Sequence, residues 1–321
     1  MGTAPAVPEA GSTSARQAFR GELLDAGLLV DTGVPGLYLR SGDFEDVVQA
    51  LDRYVTRLGE ADRDQVPDQP RPWRLALPPV LARSVFERTD YLASFPHLIG
   101  AVSTFGGDDR AHAQLLTRHA SGEDWTDCLQ PTQTMLVPAA CHAVYPQLTG
   151  GLPEGGRLVD VLAYCFRHEP SGDPARMQAF RMREFVRVGT PEEALAHRNR
   201  WARTALEALL ALDLEAQQVV ANDPFFGRAG RLLAVNQRDD ALKFEIEVAL
   251  FGADEPGTAV ASSNYHQTHF GVNFAISTAD GEPAHSACVG FGLERITLAL
   301  LRRHGLDVGT WPSSVRGLLW P

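Results

Sequence analysis

The sequence predicts an α+β fold in which an antiparallel sheet is flanked by helices. Its 321 residues are 44% hydrophobic, which is enough to bury one large core or two modest ones. Residues 191–212 and 293–304 have the apolar spacing of helices. The predicted strands are Leu98 to Phe105, Val159 to Phe166, Ala179 to Val188, Ala241 to Phe251 and His269 to Ser277. Because few helices separate these strands, an antiparallel sheet is favoured over a doubly wound parallel one.

The N-terminal part of the chain has a different composition from the rest. Ala, Pro, Gly, Ser and Thr dominate its first residues, which is typical of a disordered leader. A helix is predicted over 44–55, after the capping sequence Ser41-Gly42-Asp43, and a linker over 60–73. A further helix is expected to start at Pro78 and Pro79. The predicted organisation is a leader at 1–16, a small mixed lobe at 17–72 and a larger domain at 73–321.

Charge and cysteine content exclude several classes of protein. The net charge is −11, and no run of Lys or Arg is long enough to follow a nucleic-acid backbone. The four cysteines are widely spaced, which disfavours a secreted disulfide scaffold and favours the cytoplasm. No stretch approaches the roughly 20 apolar residues that a membrane-spanning helix needs.

Arg167 and Glu169 follow a predicted strand and are two residues apart, so both should point to the same face. Arg167 could bind a phosphate group, because guanidinium grips phosphate with two parallel hydrogen bonds and stays charged when desolvated. A cross-strand ion pair on a solvated face explains the same pattern.

A second arginine, Arg295, lies where a strand turns into a helix, after Gly290 and Gly292. Glycines allow the backbone to approach a ligand closely, and the start of the helix adds partial positive charge. The pattern therefore fits a site for the outer phosphates of a nucleotide. The same glycines could simply allow tight packing between the strand and the helix.

Spacing alone does not identify a metal site. Cys141, Glu184 and Cys288 are far apart in the sequence and lack the spacing of paired CxxC ligands, so buried, unreactive thiols explain the cysteines equally well. His142, His266 and His269 are candidates for polar site residues, and each alone could be a satisfied core or surface group.

Taken together, these segments resemble the catalytic core of class II aminoacyl-tRNA synthetases. The family most similar in this respect is that of the amino acid:[carrier protein] ligases, relatives of the atypical archaeal-type seryl-tRNA synthetases. The resemblance covers about residues 75–310. It rests on three segments: Ala93-Ser94-Phe95-Pro96-His97-Leu98 for the first motif, Tyr164 to Phe185 for the second and Cys288 to Arg295 for the third.

The resemblance implies roles in ATP binding. Arg167 would contact the α-phosphate and Arg295 the γ-phosphate, and these two arginines are the candidate catalytic residues. Glu169 would lie beside the adenine, and Phe180 would stack on it. Glu247 and Ser263 occupy positions where related enzymes bind Mg²⁺ and the adenylate, although the acidic residue expected before the Ser-Ser pair is replaced here by Val260 or Ala261.

The resemblance also implies a zinc ion held by Cys141, Glu184 and Cys288. Three protein ligands leave the fourth tetrahedral position open for the α-amino group of the substrate. Only a free, neutral amine can bind there, so N-acylated substrates should be rejected.

The implied reaction joins a small amino acid, glycine or alanine, to the phosphopantetheine thiol of a carrier protein through an aminoacyl-adenylate. The acidic chain and the absence of a coiled-coil or basic domain favour a carrier protein over tRNA, and the family implies a homodimer. Arg198, Arg200, Trp201 and Arg203 could form a basic surface for an acidic carrier protein, and a solvated helix face explains them as well. Two alternatives remain open: a reduced seryl-type tRNA synthetase, and a non-catalytic paralogue that binds an amino acid or adenylate.

Overall fold

The computed structural model of the chain describes residues 12–66, 69–221, 241–252 and 255–321. The strands are β1 (Leu29–Asp31), β2 (Tyr38–Arg40), β3 (Trp73–Leu77), β4 (Val80–Ala82), β5 (Ala101–Thr104), β6 (Gln130–Leu136), β7 (Gly150–Gly151), β8 (Arg157–Phe166), β9 (Ala179–Gly189), β10 (Ala216–Ala221), β11 (Lys243–Val248), β12 (Thr258–Gln267), β13 (Ile276–Ser277) and β14 (His285–Gly292). The α-helices are α1 (Ser12–Asp25), α2 (Gly42–Gln65), α3 (Arg83–Glu87), α4 (Tyr91–Ser94), α5 (Asp109–Ser121), α6 (Pro191–Ala211), α7 (His269–Asn273), α8 (Leu293–His304) and α9 (Ser313–Leu319).

A seven-stranded sheet organises the molecule, in the order β10-β11-β12-β14-β9-β8-β3. Every neighbouring pair in it is antiparallel except β3 and β8. Helices α2, α6 and α8 pack on one side, here called the back face. The other side, the front face, contacts the short 3₁₀ helix Ala140–Ala143. The predicted antiparallel α+β arrangement is confirmed.

Each face of the sheet has its own hydrophobic core. Phe185 and Val289 point into the back core, together with Trp201 of α6. Val186 and Cys288 point into the front core. Because successive side chains on a strand alternate between faces, neighbours in sequence belong to different cores.

Three predicted helices are confirmed, and their boundaries have local causes. Helix α6 begins with a capping box in which the Thr190 hydroxyl accepts from the Glu193 amide and the Glu193 carboxylate accepts from the Thr190 amide, and Pro191 occupies its first turn. Helix α8 starts at Leu293, directly after β14. In the N-terminal lobe, Ser41 caps α2 by accepting from the Phe44 amide.

Several predicted elements are wrong. The strand expected over 269–277 is mostly helix α7, because Phe270 and Phe274 lie four residues apart and bury the same helical face. The helix expected from Pro78 begins only at Arg83, since β4 first pairs with β6.

Parts of the predicted leader and linker are helical. Residues 1–11 lie outside the described part of the chain, and residues 12–16 belong to α1. Helix α2 continues to Gln65, so the linker predicted from residue 60 begins later than expected.

The N-terminal lobe shares the back core of the sheet. Phe19 of α1 and Phe44 and Leu51 of α2 belong to the same buried cluster as Phe185 of β9. The boundary between a lobe at 17–72 and a domain at 73–321 stays a prediction. In the described residues, no helix is both long enough and apolar enough to cross a membrane.

Candidate active site

Strand β9 supplies the front face with three side chains that bear on function. Phe180 and Met182 pack against the front core, and Glu184 is buried there with only 1% of its surface exposed. The intervening residues Arg181 and Arg183 point to the back face, where each pairs with a carboxylate of α2. Alternation along one strand therefore separates the two sets of residues.

Cys141, Glu184 and Cys288 converge on the front face, and their ligand atoms lie within 4.8 Å of one another. All three residues are buried. Cys288 reaches Glu184 because β14 pairs with β9, with Gly290 directly opposite Glu184. Cys141 arrives on the 3₁₀ helix, where the Ala140 amide donates to Glu184 Oε1 at 3.0 Å. These are the three residues that the resemblance implied as metal ligands.

The electrostatics of this group suit a divalent cation. Burial raises the pKa of Glu184 to about 8, and the adjacent Cys288 contributes to the shift. A hydrogen bond from the Cys141 thiol lowers the pKa of Cys288 well below its ordinary value, and the same bond raises that of Cys141. Glu184 Oε2 is buried without a hydrogen-bond partner in the protein. Two thiols and an unsatisfied carboxylate oxygen form a donor set that zinc prefers.

Two further residues contact Cys288. Asn264 Nδ2 lies 3.6 Å from its Sγ, and His266 Nε2 lies 3.7 Å from it. Asn264 is directly opposite Cys288 in the register of β12 and β14. Sequence reasoning did not identify Asn264, because nothing local indicates which residue of β12 faces Cys288.

The other two candidate histidines are placed differently. His142 is buried between the rings of Tyr91 and Phe270, and burial lowers its pKa to about 3, so it is neutral at physiological pH. His269 lies 3.5 Å from the carboxylate of Asp90.

Arg167 and Glu169 lie just beyond a strand. Since β8 ends at Phe166, the argument that places both on one strand face is wrong. Arg167 Nε donates to the Pro138 carbonyl at 3.2 Å, and its guanidinium lies 5.5 Å from the centroid of the Phe180 ring. The Glu169 carboxylate pairs with Arg176 at 3.2 Å. Arg167 and Phe180 are therefore close together at the end of the β8–β9 pair.

Arg295 lies in the first turn of α8. Its guanidinium donates to the carbonyls of Ala175, at 2.7 Å, and Ala259, at 3.0 Å. Burial lowers its pKa below the ordinary value, and the neighbouring positive charge of Arg167 lowers it further. Two arginines whose charges repel each other across one site favour an anionic ligand between them.

Glu247 lies on β11 opposite Ala259, the residue whose carbonyl binds Arg295. Burial raises the pKa of Glu247, and the charge of Glu245 raises it further. Glu247 is thus at the same end of the site as Arg295, with a second carboxylate nearby.

The prediction that Ser263 binds the nucleotide is contradicted by the structure. Ser263 is fully buried opposite Val289 on the back face, and its hydroxyl donates to the Arg198 carbonyl at 2.8 Å. Its neighbour Ser262 is opposite Gly290, in the row of the sheet that contains Glu184. A difference of one residue in a strand moves the hydroxyl to the other face.

The predicted basic surface on α6 is also contradicted. Arg198 and Trp201 are buried, and Arg200 binds the Asp62 carboxylate. Only Arg203 of the four is exposed. These side chains hold α6 to the sheet and to α2.

Comparisons with known proteins identify the family of the chain. No family model matches the chain. It is 41% identical over 289 residues to amino acid–[acyl-carrier-protein] ligase 1 of Bradyrhizobium diazoefficiens, a match covering 89% of this chain and 86% of the relative. Ligase 2 of the same organism is 42% identical over 299 residues, covering 92% of this chain and 86% of the relative. A type-2 serine–tRNA ligase of Methanococcus aeolicus is 28% identical over 59% of this chain and 38% of its own length.

Solved structures show the same fold. The Methanopyrus kandleri seryl-tRNA synthetase, in complex with a tRNA from A. aeolicus, matches with a TM-score of 0.76 and 21% identity over 94% of this chain and 60% of that chain. The Pyrococcus horikoshii seryl-tRNA synthetase, complexed with ATP, matches with a TM-score of 0.63 and 16% identity over 89% of this chain and 58% of that chain. The fold is that of class II aminoacyl-tRNA synthetases, and the chain is an enzyme that belongs to the family of amino acid:carrier protein ligases.

Proposed function

We propose that this enzyme activates a small amino acid with ATP and transfers it to the phosphopantetheine thiol of a carrier protein. The observation that carries the proposal is the convergence of Cys141, Glu184 and Cys288 on the sheet face that also meets Phe180, with Arg167 beside that ring. This arrangement provides a place for an amine, next to a place for a phosphate and an aromatic base. Membership of the ligase family supports the same reaction.

Cys141, Glu184 and Cys288 would hold zinc. When bound, the ion would supply a Lewis-acid position for the free α-amino group of the substrate. All three side chains that would bind the ion are buried. Asn264 and His266 contact Cys288 and would hold its sulfur in place.

The nucleotide would lie between Phe180 and the two arginines. In the first step, a carboxylate oxygen of the amino acid attacks the α-phosphorus of ATP and pyrophosphate leaves. Arg167 would neutralise charge at the α-phosphate and Arg295 at the γ-phosphate, and Glu169 would lie on the adenine side. The enzyme needs no nucleophile of its own, so positioning and charge neutralisation are its contribution.

Magnesium would bind near Glu247 and accompany the pyrophosphate group. The Glu247 carboxylate supports this position, because carboxylate oxygens are ligands that Mg²⁺ prefers. Glu245, which pairs with Lys243 at 2.9 Å, is the second carboxylate nearby. Glu247 would replace the acidic residue that the Ser-Ser segment lacks.

In the second step, the thiol of a phosphopantetheine arm attacks the carbonyl carbon of the adenylate, a thioester forms and AMP leaves. Glycine or alanine is the proposed substrate. The resemblance to the ligase family, which implies glycine or alanine, supports a small one. A carrier protein is proposed as the acceptor in preference to tRNA, in keeping with the net charge of −11.

A homodimer is proposed because several elements leave apolar side chains uncovered. None of the residues of α5 is buried, and 52% of the Leu116 side chain is exposed. Trp73 of the edge strand β3 is 44% exposed, and Leu92 of α4 is 47% exposed. A second copy of the chain would cover these side chains.

Amino-acid-dependent exchange between ATP and pyrophosphate tests the first step without any acceptor. We expect exchange with one or two small amino acids and its loss after zinc chelation. Exchange that survives removal of all zinc would contradict the zinc site, and no exchange in zinc-loaded protein would favour the binding-only alternative.

The acceptor is tested separately. The enzyme should load a phosphopantetheinylated carrier protein with the activated amino acid, and should not load the same carrier without the prosthetic arm. Charging of tRNA at a comparable rate would instead support a reduced seryl-type synthetase, an alternative that the similarity to type-2 serine–tRNA ligases keeps in view.

A further inference from the structure

Behind the proposed nucleotide site, a buried carboxylate joins a strand to a helix. Glu294, in the first turn of α8, is only 1% exposed. Its Oε2 accepts from the backbone amide of Arg181 at 2.6 Å, and its Oε1 accepts from Arg181 Nε at 2.8 Å. Arg40 of β2 donates to the same Oε1 at 3.1 Å. One carboxylate thus holds the start of β9, the start of α8 and a strand of the N-terminal lobe.

A second carboxylate closes these contacts into a ring. Glu45, in the first turn of α2, accepts from both terminal nitrogens of Arg181 at 2.8 Å each, and from Arg40 Nε at 2.9 Å. Arg40, Glu45, Arg181 and Glu294 therefore alternate in charge around a closed ring, called here the four-charge ring. Burial disfavours the charge of Arg181, but the hydrogen bond with Glu45 and the charge of Glu294 outweigh burial and raise its pKa. Both arginines also lie against the ring of Tyr164.

Two members of the four-charge ring are sequence neighbours of residues in the nucleotide site. Glu294 precedes Arg295, and Arg181 follows Phe180. On β9, alternation sends Arg181 to the back and Phe180 to the front. Fixing the backbone of Arg181 and the first turn of α8 therefore fixes the points from which Phe180 and Arg295 extend.

We propose that the four-charge ring is a positioning device through which the N-terminal lobe sets the affinity of the enzyme for its nucleotide. Arg40 and Glu45 belong to the N-terminal lobe and form ion pairs with Glu294 and Arg181. Neither forms a hydrogen bond or an ion pair with Phe180 or Arg295, so they act on these residues through Glu294 and Arg181. They are positioning residues. The inference rests on the proposed function in one respect, namely that Phe180 and Arg295 bind ATP.

The same helix and strand offer a matched control. Asp52, further along α2, pairs with Arg183 of β9 at 2.9 Å, and Arg183 also binds Asp160 of β8. The ion pair between Asp52 and Arg183 joins α2 to β9, as the ion pair between Glu45 and Arg181 does. It shares no hydrogen bond or ion pair with Glu294. A change at Asp52 removes a similar ion pair without touching the four-charge ring.

The experiment compares Glu45→Gln with Asp52→Asn in the full-length enzyme. ATP binding by the wild type is measured first by calorimetry, and KM values for ATP and for the amino acid are then taken from pyrophosphate exchange. We expect Glu45→Gln to raise the KM for ATP about tenfold through a small displacement of the site, with the KM for the amino acid within about twofold. Asp52→Asn should leave both KM values within about twofold of the wild type, although the two variants lose similar thermal stability.

Equal changes in the KM for ATP in the two variants would overturn the positioning role, as would an unchanged value in Glu45→Gln. If Glu45→Gln does not fold, Arg40→Met removes the other lobe residue of the ring and should raise the KM for ATP in the same way. A wild type that binds ATP, with variants that bind it equally well, contradicts only the role of the ring. A wild type that binds no ATP contradicts the proposed function and this inference together.

Discussion

The two faces of strand β9 use charged residues for opposite purposes. On the front, Glu184 is buried with an oxygen that has no hydrogen-bond partner in the protein, beside two thiols. On the back, Arg181 and Arg183 are buried with their guanidinium groups bound by carboxylates on both sides. On the front, the unsatisfied oxygen of Glu184 can receive a ligand. The back groups satisfy one another, so they hold the lobe and the helices to the sheet.

The comparison shows that the type of residue does not decide its role in this enzyme. Arg183 lies between Met182 and Glu184 in the sequence, yet its side chain points to the opposite face of the sheet. It is paired there with Asp52 and Asp160. The arginines suited to a phosphate, Arg167 and Arg295, lie just outside β8 and β14, and both donate hydrogen bonds to backbone carbonyl groups. Substitutions on the front should therefore reduce activity, and substitutions on the back, outside the four-charge ring, should reduce stability.

The largest effect is expected for Cys141→Ser, on the front face. Serine cannot replace a thiolate ligand, so bound zinc should fall from about one per chain to near zero, and exchange activity should fall by a factor of about 1,000 or more. Zinc content is measured by mass spectrometry and activity by pyrophosphate exchange. Cys128→Ser is the control, because Cys128 is partly exposed and outside the cluster, and it should retain both zinc and activity. Full zinc content in Cys141→Ser would refute the assignment of the ligands.

Arg167→Ala should have the next largest effect. Removal of a positioned cation from the α-phosphate is expected to lower kcat/KM for ATP by a factor of about 100 to 1,000, with unchanged zinc content. Steady-state exchange kinetics measure this. If the loss were confined to zinc content or to the KM of the amino acid, the phosphate role of Arg167 would be incorrect.

Arg183→Met tests the back face. The substitution leaves the buried Asp160, which is only 2% exposed, with Arg74 as its ion-pair partner. Because a buried carboxylate then loses its main partner, we expect a loss of about 3 kcal/mol in the free energy of unfolding. Urea denaturation measures the loss. The activity per folded molecule should stay within severalfold of the wild type. A stable variant with strongly reduced activity would mean that the two faces are not divided as described.

Ser263→Ala and Ser262→Ala sharpen the comparison at adjacent residues of β12. Ser263→Ala removes one buried hydrogen bond to the Arg198 carbonyl and should cost about 1 kcal/mol of stability without changing exchange kinetics. Ser262→Ala, in the row of Glu184, should change the kinetics more than the stability. The reverse result would place the Ser263 hydroxyl in the site after all.

The smallest effect concerns pH. Burial raises the pKa of Glu45, but Arg181 and Arg40 outweigh burial, so its pKa lies below its ordinary value of 4.5. A carboxylate with a lowered pKa stabilises the folded state above its unfolded pKa, and this contribution is lost as the pH falls through the folded pKa. The difference in stability between the wild type and Glu45→Gln should therefore be constant near pH 7 and shrink below about pH 4.5. A difference that does not change down to pH 3 would show that the charge of Glu45 is not what stabilises the protein.

Much of the fold could be predicted because its causes are local. The capping box of α6, the helix after Gly292 and the strands β8 and β9 each depend on residues close together in sequence. The three motifs that resemble class II synthetases are likewise continuous segments, so family and reaction class could be inferred from them. Helix α7 was missed because Phe270 within it and Phe274 directly after it, both buried, are equally compatible with a strand.

The site could be predicted only through the resemblance, because its parts meet by pairing between distant strands. Nothing near Cys141 specifies Cys288 as its neighbour, whereas the register of β9 with β14 places Gly290 opposite Glu184 and brings the cysteine alongside. The register of β12 with β14 sends Ser263 to the back face, opposite Val289.

Local sequence therefore determined the helices, the strands and the motifs of this enzyme, since each depends on contacts within a few residues. Tertiary structure decided which face each side chain occupies and which charges are satisfied. Arg198 and Arg200 of α6 have structural roles because the sheet buries Arg198 and Asp62 of α2 binds Arg200. The reason is that register and burial depend on pairing between segments far apart in the chain, and one residue of shift reverses every side chain on a strand.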